Sequence, residues 1–432
     1  MIACTAIFDI GKTNKKFVLF NEALHLEWGV QTQFEEVKDE DGFDCEDLTQ
    51  LTQWMRDTWR AVEAEGRYRV IALNFATHGA GMVHLDDQGQ PVTPLYSYLK
   101  PFPDDLLAQF YRTYGDRDEL AAQTASPPMG MLNSGLQLYW LKHARPALFA
   151  RIRTSLHFPS YCAYLFTGNA TTEYTSVGCH TALWDFARHD YHHWVYAEGL
   201  DRLFPPFCQA GQSGSVAFRG ESIPVGTGLH DSSAALIPYL RKSADEPFLL
   251  LSTGTWGIAL NPFARQPLTV EMLLQDCLNF FTFDGRTVRA SRLFIGDEHQ
   301  RLTEHLARHF RKPSDFHKTI RYDGKVQQFI RKHRPEPQKM DLGRFDSYEE
   351  AYHYFIQHLV DRQAVAIRLA AEGDPTHRKL FVDGGFCKND VFVRLLALAF
   401  PTLTVETFEE VQGTALGAAM VMETVTKREP AE

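Results

Sequence analysis

The chain has 432 residues, with 44 Lys and Arg against 54 Asp and Glu, which gives a formal charge of −10. The hydrophobic content of 44% and the charged content of 23% are typical of a folded globular protein and exclude a disordered or fibrous chain. The length favours two domains. The acidic balance argues against nucleic acid or an anionic membrane as the main partner, and no apolar run predicts a membrane-spanning helix.

The N-terminal stretch and the cysteines indicate a cytoplasmic protein. Residues 1–17 contain a short apolar run with no basic leader and no small-residue cleavage site, so we expect a buried strand there rather than a signal peptide. The seven cysteines are scattered and include no C-x-x-C pair. This spacing favours reduced, buried thiols and argues against a structural zinc site.

Apolar periodicity divides the first half of the chain into strands and helices. Residues 5–9 and 17–20 are apolar runs joined by a polar turn, which predicts a β-hairpin. Apolar residues at helical spacing predict a helix over 47–64, and a strand is expected at 68–75. The later elements predicted in this half are helices at 134–141 and 160–167, a strand at 222–226 and a helix at 232–239.

The second half repeats the plan of the first. The charged residues 241–247 are the best candidate for a domain junction, and strands at 248–251 and 256–260 then enclose a second turn. This repetition predicts two domains, 1–243 and 244–432, which each open with a similar hairpin and face one another across a cleft. The elements predicted after this hairpin are a helix at 351–370, a strand at 380–382, a helix at 390–399, a strand at 402–405 and a helix at 412–421.

Three glycine-bearing turns follow apolar strands, at 9–14, 252–255 and 383–389. Glycine lets backbone N–H groups approach an anion closely, and Thr hydroxyls add donors, so three such turns over two halves favour phosphate binding. A Walker A loop is excluded because Ala6 stands where its first glycine is needed. Residues 226–231 lack the third glycine of a dinucleotide-binding fingerprint.

Two aspartates stand beside these turns. Asp9 ends the first strand, where it either caps the turn or anchors a hydrated Mg²⁺ ion. Asp231 follows a Gly-rich turn and precedes a helix of small residues. It is expected either to cap that helix or to accept a hydroxyl proton during attack on a γ-phosphorus, and the two roles are compatible.

The 18 histidines do not indicate a metal site, because the sequence has no H-E-x-x-H motif. The acid–histidine pairs at 298–299 and 304–305 are expected on the solvated face of a charged helix. The aromatic residues are expected in the core, since no aromatic–basic interleaving resembles an RNA-binding strand.

In this order and spacing, the motifs resemble those of the FGGY carbohydrate kinases, which belong to the actin, hexokinase and Hsp70 superfamily. The matching stretches are FDIGKTNKK (8–16), the Gly-Leu-His-Asp of 228–231, LSTGTWG (251–257), VDGGFCKND (382–390) and GTALGAAM (413–420). The resemblance runs from residue 5 to about 421. It implies an α/β, two-domain, ribonuclease H-like fold with an ATP cleft between a sugar-binding first domain and an ATP-binding second domain.

The resemblance also implies ATP and Mg²⁺ as cofactors and a role for each matching residue. Asp231 would be the general base, and Asp9 would hold Mg²⁺ through water. The remaining site residues implied are Gly11, Lys12, Thr13 and Lys16 near the γ-phosphate, Thr253, Gly254 and Thr255 around phosphates, Gly384, Gly385 and Asn389 near the α-phosphate and adenosine, and His78, Gly79 and His230 in the sugar pocket.

Several positions depart from the family pattern. Lys12 stands where the family usually has Thr, so it either adds a cation at the transferring phosphoryl group or is merely exposed. Gln137 replaces a usual Lys, and the segment 96–103 replaces an aromatic-x-Asp-x-Arg stretch. The Thr-Trp of 255–256 and the Gly-Leu-His-Asp turn resemble rhamnulokinases and fuculokinases, although Gly81 stands where rhamnulokinase-like members tend to have an acid.

The expected activity is therefore ATP-dependent phosphorylation of a free ketose such as L-rhamnulose, L-fuculose or a pentulose. Two alternatives stay open, a polyol kinase and a nucleotide-dependent sensor or pseudokinase on the same fold. Asp231 favours an enzyme, because a sensor that needs only ATP-driven closure need not keep it. The expected partners are a small sugar and, by family analogy, a second copy of the chain, with no nucleic acid and no membrane.

Overall fold

The computed structural model describes residues 1–208, 211–244, 246–333, 342–408 and 412–426. The strands, in chain order, are β1 Ile2–Ile10, β2 Lys15–Asn21, β3 Leu26–Thr32, β4 Val37–Lys38, β5 Asp44–Cys45, β6 Tyr68–Thr77, β7 Met82–Leu85, β8 Thr154–His157, β9 Trp184–Asp185, β10 Asp190–Tyr191, β11 Gly214–Phe218, β12 Glu221–Val225, β13 Leu229–His230, β14 Phe248–Thr253, β15 Trp256–Asn261, β16 Cys277–Phe281, β17 Thr287–Phe294, β18 Lys379–Gly384 and β19 Thr404–Thr407.

Helices cover and connect these strands. In chain order they are α1 Leu48–Glu65, α2 Asp104–Tyr114, α3 Arg117–Gln123, α4 Ser134–Ala144, α5 Pro146–Phe149, α6 Phe158–Thr167, α7 Tyr174–Val177, α8 His193–Ala197, α9 Asp231–Ser243, α10 Val270–Leu274, α11 Gly296–His309, α12 Gly324–His333, α13 Tyr348–Ala371, α14 Asp390–Ala399 and α15 Gly413–Thr426.

The two large sheets share one strand plan. The first has the order β3-β2-β1-β6-β12-β11, with β13 also paired to β6, and the second has the order β16-β17-β15-β14-β18-β19. Each opens with an antiparallel hairpin, β1–β2 or β14–β15. A later strand, β6 or β18, then pairs in parallel with the first strand of that hairpin. The two predicted hairpins and the predicted two-part α/β fold are confirmed.

The first strand is mostly apolar because both of its faces are covered. Cys4, Ala6, Phe8 and Ile10 belong to the core cluster that includes α1 and α6. Ile7, which points to the opposite face, belongs to a cluster that includes the last helix, α15. Alternate residues of a strand face opposite sides, so a run buried on both sides shows no polar alternation.

Local signals fix the ends of the predicted helices. The side chain of Asp47 accepts a hydrogen bond from Gln50 N at 2.9 Å and so begins α1, which ends before Gly66 with a φ of 81°. In the same way, the Ser347 side chain accepts from Glu350 N at the start of α13. The helices predicted at 47–64 and 351–370 lie within one to three residues of these bounds.

The helices α9 and α15 connect the two halves of the molecule. Leu236 and Tyr239 of α9 pack in a cluster with strands of the second sheet. In return, α15 lies on the first sheet, where Asn74 of β6 donates a side-chain hydrogen bond to Ala418 O at 3.0 Å. The helices touch at Gly417, where an added Cβ would lie 1.9 Å from Ala234 O. Each half therefore places one helix on the sheet of the other.

The bounds of some elements differ from the predictions. The helix α9 extends to Ser243, so the proposed junction begins with helical residues, and the helix predicted from 160 begins at Phe158. The strand predicted at 402–405 lies two residues later. The division at 243/244 stays a prediction. None of the helices among the described residues combines the length and apolar character that a membrane crossing needs.

Candidate active site

Three parallel strands of the first sheet end at one edge and bring the predicted residues together. Asp9 on β1 pairs with Ala76 on β6, which in turn pairs with Leu229 on β13. His78 follows β6, and Asp231 follows β13. Because the carboxyl ends of parallel strands share an edge, Asp9, His78 and Asp231 lie around the same cleft.

Asp231 is fixed through one oxygen only. It is the first residue of α9, with His230 in the capping position before it. Its Oδ1 accepts from Ser232 N at 2.6 Å and Ser232 Oγ at 3.2 Å, and lies 3.2 Å from His230 Nε2. Within the described ranges, Oδ2 has no donor, and the side chain is 34% exposed. The helix therefore orients the carboxylate while one oxygen stays available to a substrate.

His230 contacts the Asp231 carboxylate through its Nε2 atom. Burial lowers the pKa of His230, against the opposing charge of Asp231, so we assign a neutral ring whose Nε2 lies 3.2 Å from Oδ1. Cys179 Sγ lies 3.2 Å from the same nitrogen. Gly79 allows this packing, because an added Cβ would lie 2.9 Å from Cys179 Sγ and 3.2 Å from the His230 ring.

Asp9 is a half-buried carboxylate beside a single cation. Its side chain is 13% exposed, and Lys16 Nζ lies 3.7 Å from Oδ2. Burial raises the pKa of Asp9 to about 6; the charge of Lys16 opposes this rise, and the charge of Asp231 adds to it. A carboxylate with so little compensation fits a bound cation. No cluster of three metal-binding side chains occurs in the described part of the chain, so water and phosphate would complete the shell of a Mg²⁺ ion.

The first glycine turn is held by lysines in a way that the sequence did not reveal. Lys12 lies 2.5 Å from Glu36 and 3.7 Å from Glu46, so it is not merely exposed. Its role as a cation at the transferring phosphoryl group stays a prediction. Lys15 is buried and donates to Lys12 O at 2.7 Å and to Gly11 O at 3.2 Å. Thr13 is exposed at the tip of the turn.

A cavity of about 930 Å³ opens between the two halves and is lined by Ser232 and His230, the neighbours of Asp231 in the chain. His78, Gly79 and His230 line it, as predicted for a sugar pocket. The nitrogens of His78 are already engaged, Nε2 with Glu46 Oε1 at 2.7 Å and Nδ1 with Gly79 O at 2.9 Å. The lining residues that sequence reasoning missed include Tyr98, Met129, His180, Trp256, Phe280 and Arg292.

The altered segment 96–103 forms part of this wall. Lys100 is buried between Asp39 and Asp41, at 2.7 Å from a carboxylate oxygen of each, and its ammonium lies over the Tyr96 and Trp140 rings. These contacts anchor the segment, and Tyr98 and Leu99 then face the cavity. Gln137, the other departure, is buried and donates to Ala80 O and Met131 O behind the pocket.

A second cavity, of about 640 Å³, is built from the second half alone. It brings together the predicted residues Gly254, Gly385 and Asn389. Asn389 Nδ2 donates to Tyr352 Oη at 2.8 Å. An added Cβ at Gly254 or Gly385 would meet no atom within 4 Å, so both glycines open directly into free space. This cradle fits the phosphates and adenosine of a nucleotide.

His299 lines the second cavity, whereas the sequence predicted it on a solvated helix face. His299 is not on a solvated face, because its Nε2 lies 3.2 Å from Tyr352 Oη and its ring packs on Phe386 and His317. Burial, with a smaller contribution from His317, lowers the pKa of His299 to about 4. His305, on the same helix, is exposed as expected. The helical period alone could not separate these two positions.

Thr253 and Gly384 hold the two turns of the second half against each other. The Thr253 hydroxyl donates to Asp383 O and accepts from Phe386 N, so it is committed to protein atoms. Gly384 has a φ of 82°, and an added Cβ would lie 1.8 Å from Thr253 O. Thr255 is exposed beside them.

Comparison with known families identifies this arrangement. The profile described as the N-terminal domain of the FGGY family of carbohydrate kinases matches residues 4–238, and the profile of the C-terminal domain matches residues 352–422. The chain belongs to the FGGY family of carbohydrate kinases. The predicted resemblance is thereby confirmed.

Individual relatives agree with this family. A carbohydrate kinase from Novosphingobium aromaticivorans is 26% identical, with a TM-score of 0.82 over 98% of this chain and 92% of that one. A xylulose kinase from Rhodospirillum rubrum, 16% identical, has the same fold, with a TM-score of 0.79 over 98% and 90%. A rhamnulokinase from Mannheimia succiniciproducens is 25% identical over 226 residues. The match spans 51% of this chain and 44% of that curated relative.

Proposed function

We propose that the protein is an ATP-dependent kinase that phosphorylates a hydroxyl group of a free sugar. The observation that carries the proposal is the Asp231 carboxylate, whose Oδ1 is bound by its own helix and whose Oδ2 has no donor among the described residues. Its two neighbours in the chain, His230 and Ser232, line the cleft cavity. A carboxylate that served only to fix the start of the helix would not need a free oxygen. A general base needs that free oxygen within reach of the acceptor hydroxyl.

In the proposed phosphoryl transfer, Asp231 takes up the proton that the acceptor hydroxyl releases. Asp231 Oδ2 accepts the proton of the acceptor hydroxyl while the hydroxyl oxygen bonds to the γ-phosphorus. The bond from that phosphorus to the bridging oxygen of ADP breaks, and the products are a sugar phosphate and ADP. Lys16 Nζ lies 3.7 Å from Asp9 Oδ2, and we propose Lys16 as the cation that faces the transferred group.

The nucleotide is proposed to lie along the second half of the chain. Gly254 and Gly385 leave room for the phosphates, and Tyr352 and His299 form the wall beyond them. Asp9 would hold Mg²⁺ through water, and the ion would supply positive charge at the transferred phosphoryl group.

The acceptor is proposed to be a ketose such as L-rhamnulose, L-fuculose or a pentulose. Aromatic and aliphatic side chains of both halves line much of the cavity, and such walls suit the apolar faces or a methyl group of a sugar. The relative named as a rhamnulokinase supports the same class. We also propose a cytoplasmic location, because all seven cysteines lie in the described ranges and none forms a disulfide. A homodimer is proposed from family analogy alone.

The test measures ADP formation from ATP with a panel of ketoses, polyols and sugar acids against a blank without sugar. We expect sugar-dependent turnover with at least one ketose, and the Asp231→Asn variant should lose roughly 10²–10⁴-fold in kcat while it still binds ATP. Asp116→Asn is the matched control, because Asp116 caps α3 outside the cleft. Near-normal turnover by Asp231→Asn rejects the general base, and ATP turnover independent of every sugar favours a sensor.

A further inference from the structure

A buried carboxylate joins the sugar side of the cleft to the first phosphate turn. Glu46 follows β5 and is only 7% exposed. Its Oε1 lies 2.7 Å from His78 Nε2, and its Oε2 lies 2.9 Å from Lys15 Nζ. Lys12 Nζ is 3.7 Å from Oε1. One side chain thus contacts a residue of the sugar pocket and two residues of the phosphate turn.

On the sugar side, Glu46 determines what the His78 ring can do. Nδ1 faces Gly79 O, and Nε2 faces the Glu46 carboxylate. A carbonyl and a carboxylate both accept hydrogen bonds, so this geometry suits a ring that donates from both nitrogens. Burial raises the pKa of Glu46, but the hydrogen bond and charge of His78 and the charge of Lys15 outweigh it and lower the pKa to about 2.

On the phosphate side, Glu46 holds the lysine that closes the turn. The Lys15 ammonium donates to Gly11 O at 3.2 Å and to Lys12 O at 2.7 Å. Its side chain is almost fully buried, so without Glu46 its charge would lack a counter-ion there. The position of residues 11–15 therefore depends on the same carboxylate that holds His78.

We propose that Glu46 is a positioning residue that fixes the distance between the sugar pocket and the phosphate turn, through His78 on one side and Lys15 on the other. The inference rests on the proposed function, because only a transfer between those two places requires a fixed distance. Glu46 itself is not among the residues that line the cleft cavity. Its loss should therefore impair the alignment of acceptor and donor more than the binding of either.

Spectroscopy of the free, full-length protein tests the sugar side without any substrate. Ring ¹⁵N shifts at pH 7, assigned with His78→Gln, should show two protonated nitrogens in the wild type and a neutral ring in Glu46→Gln. The other charged or titratable groups near this ring are Lys12, Lys15, Tyr98 and His230. A neutral His78 in the wild type overturns the proposal, whether or not the variant folds.

Kinetics test the alignment. Glu46→Gln should lower kcat by roughly 10–100-fold and leave the KM for ATP within about threefold, and Glu46→Asp should recover part of kcat. The ratio of ATP hydrolysed to sugar phosphate formed should rise in Glu46→Gln, because water replaces a misplaced hydroxyl. Loss of folded enzyme cannot change this ratio. An unchanged ratio together with unchanged kcat overturns the proposal.

Glu36→Gln is the matched control, because Glu36 pairs with Lys12 but lies outside the contacts of His78 and Lys15. We expect its kcat within about twofold of the wild type. A loss equal to that of Glu46→Gln would mean that Lys12 alone matters, and it would overturn the proposal. If the wild type phosphorylates no sugar, the proposed function fails, whereas the ¹⁵N result still decides whether Glu46 holds His78.

Discussion

At the scale of single residues, the turns of the second half combine one glycine that the fold requires with one that the proposed nucleotide site requires. Gly384 has a positive φ and lies against Thr253 O, so the backbone leaves no space for a side chain. Gly385, the next residue, opens into the nucleotide cavity with no atom within 4 Å of an added Cβ. Two adjacent glycines therefore serve different purposes.

Substituting each of the two glycines by alanine tests these two roles separately. Gly384→Ala should lower the free energy of unfolding by at least about 2 kcal/mol, because the Cβ meets a backbone oxygen in a left-handed conformation. Gly385→Ala should leave the urea midpoint unchanged and raise the Kd for ATP by roughly tenfold, because its methyl group occupies the cavity. Equal urea midpoints for both variants would contradict this distinction.

The sequence predicted residues whose role follows from local pattern. Asp9 and Asp231 were identifiable because each stands between an apolar strand and a glycine turn. Glu46 gave no such signal. Its contacts are to residues 15 and 78, which come close only after β1, β2 and β6 have paired. The ion pair of Lys12 with Glu36 could not be predicted for the same reason, since Glu36 lies beyond β3.

At the scale of elements, the helices α9 and α15 approach each other closely at Gly417. Gly417 lies so near Ala234 O that no side chain fits between the helices. The Ala- and Gly-rich pattern of residues 412–421 predicted a helix, but it did not predict a partner from the other half of the chain. Such a partner is set by the order of strands in the sheets, which periodicity does not report.

Gly417→Ala tests this contact. A backbone oxygen 1.9 Å from the new methyl group cannot be relieved by a change of rotamer, so the helices must separate. We expect a loss of about 2–3 kcal/mol in the free energy of unfolding, measured by urea denaturation. Thr424→Ala, at an exposed position of the same helix, should change it by less than about 0.5 kcal/mol. A wild-type urea midpoint for Gly417→Ala would contradict the close contact.

At the scale of the whole molecule, buried histidines make the fold sensitive to acid. Burial lowers the pKa of His84 and His180 to about 3 and that of His157, His192 and His299 to about 4. In the unfolded chain a histidine has a pKa of about 6.5. Between pH 6.5 and 4 the unfolded chain therefore binds protons that the folded protein does not, and stability falls as the pH falls. Asp9 has the opposite effect, because its raised pKa lets the folded protein bind one proton that the unfolded chain does not.

The pH dependence of unfolding measures these protons. Near pH 5 the free energy of unfolding should fall by roughly 5 kcal/mol per unit of pH, which corresponds to about four net protons. His84→Phe should reduce that slope by about 1.4 kcal/mol per unit, whatever it does to stability at pH 7. His305→Phe, at an exposed position, should leave the slope unchanged. Identical slopes for His84→Phe and the wild type would contradict the neutral state of the buried ring.

Because α9 packs on the second sheet and α15 packs on the first, neither half of the chain has a complete core on its own. A fragment that ended after α9 would carry Leu236 and Tyr239 uncovered, and it would leave Ile7 and Asn74 without the helix that shields them. The complementary fragment would carry α15, the helix that covers this face of the first sheet. Two pieces severed between the sheets should each aggregate when expressed alone, yet reassemble into working enzyme when produced in the same cell.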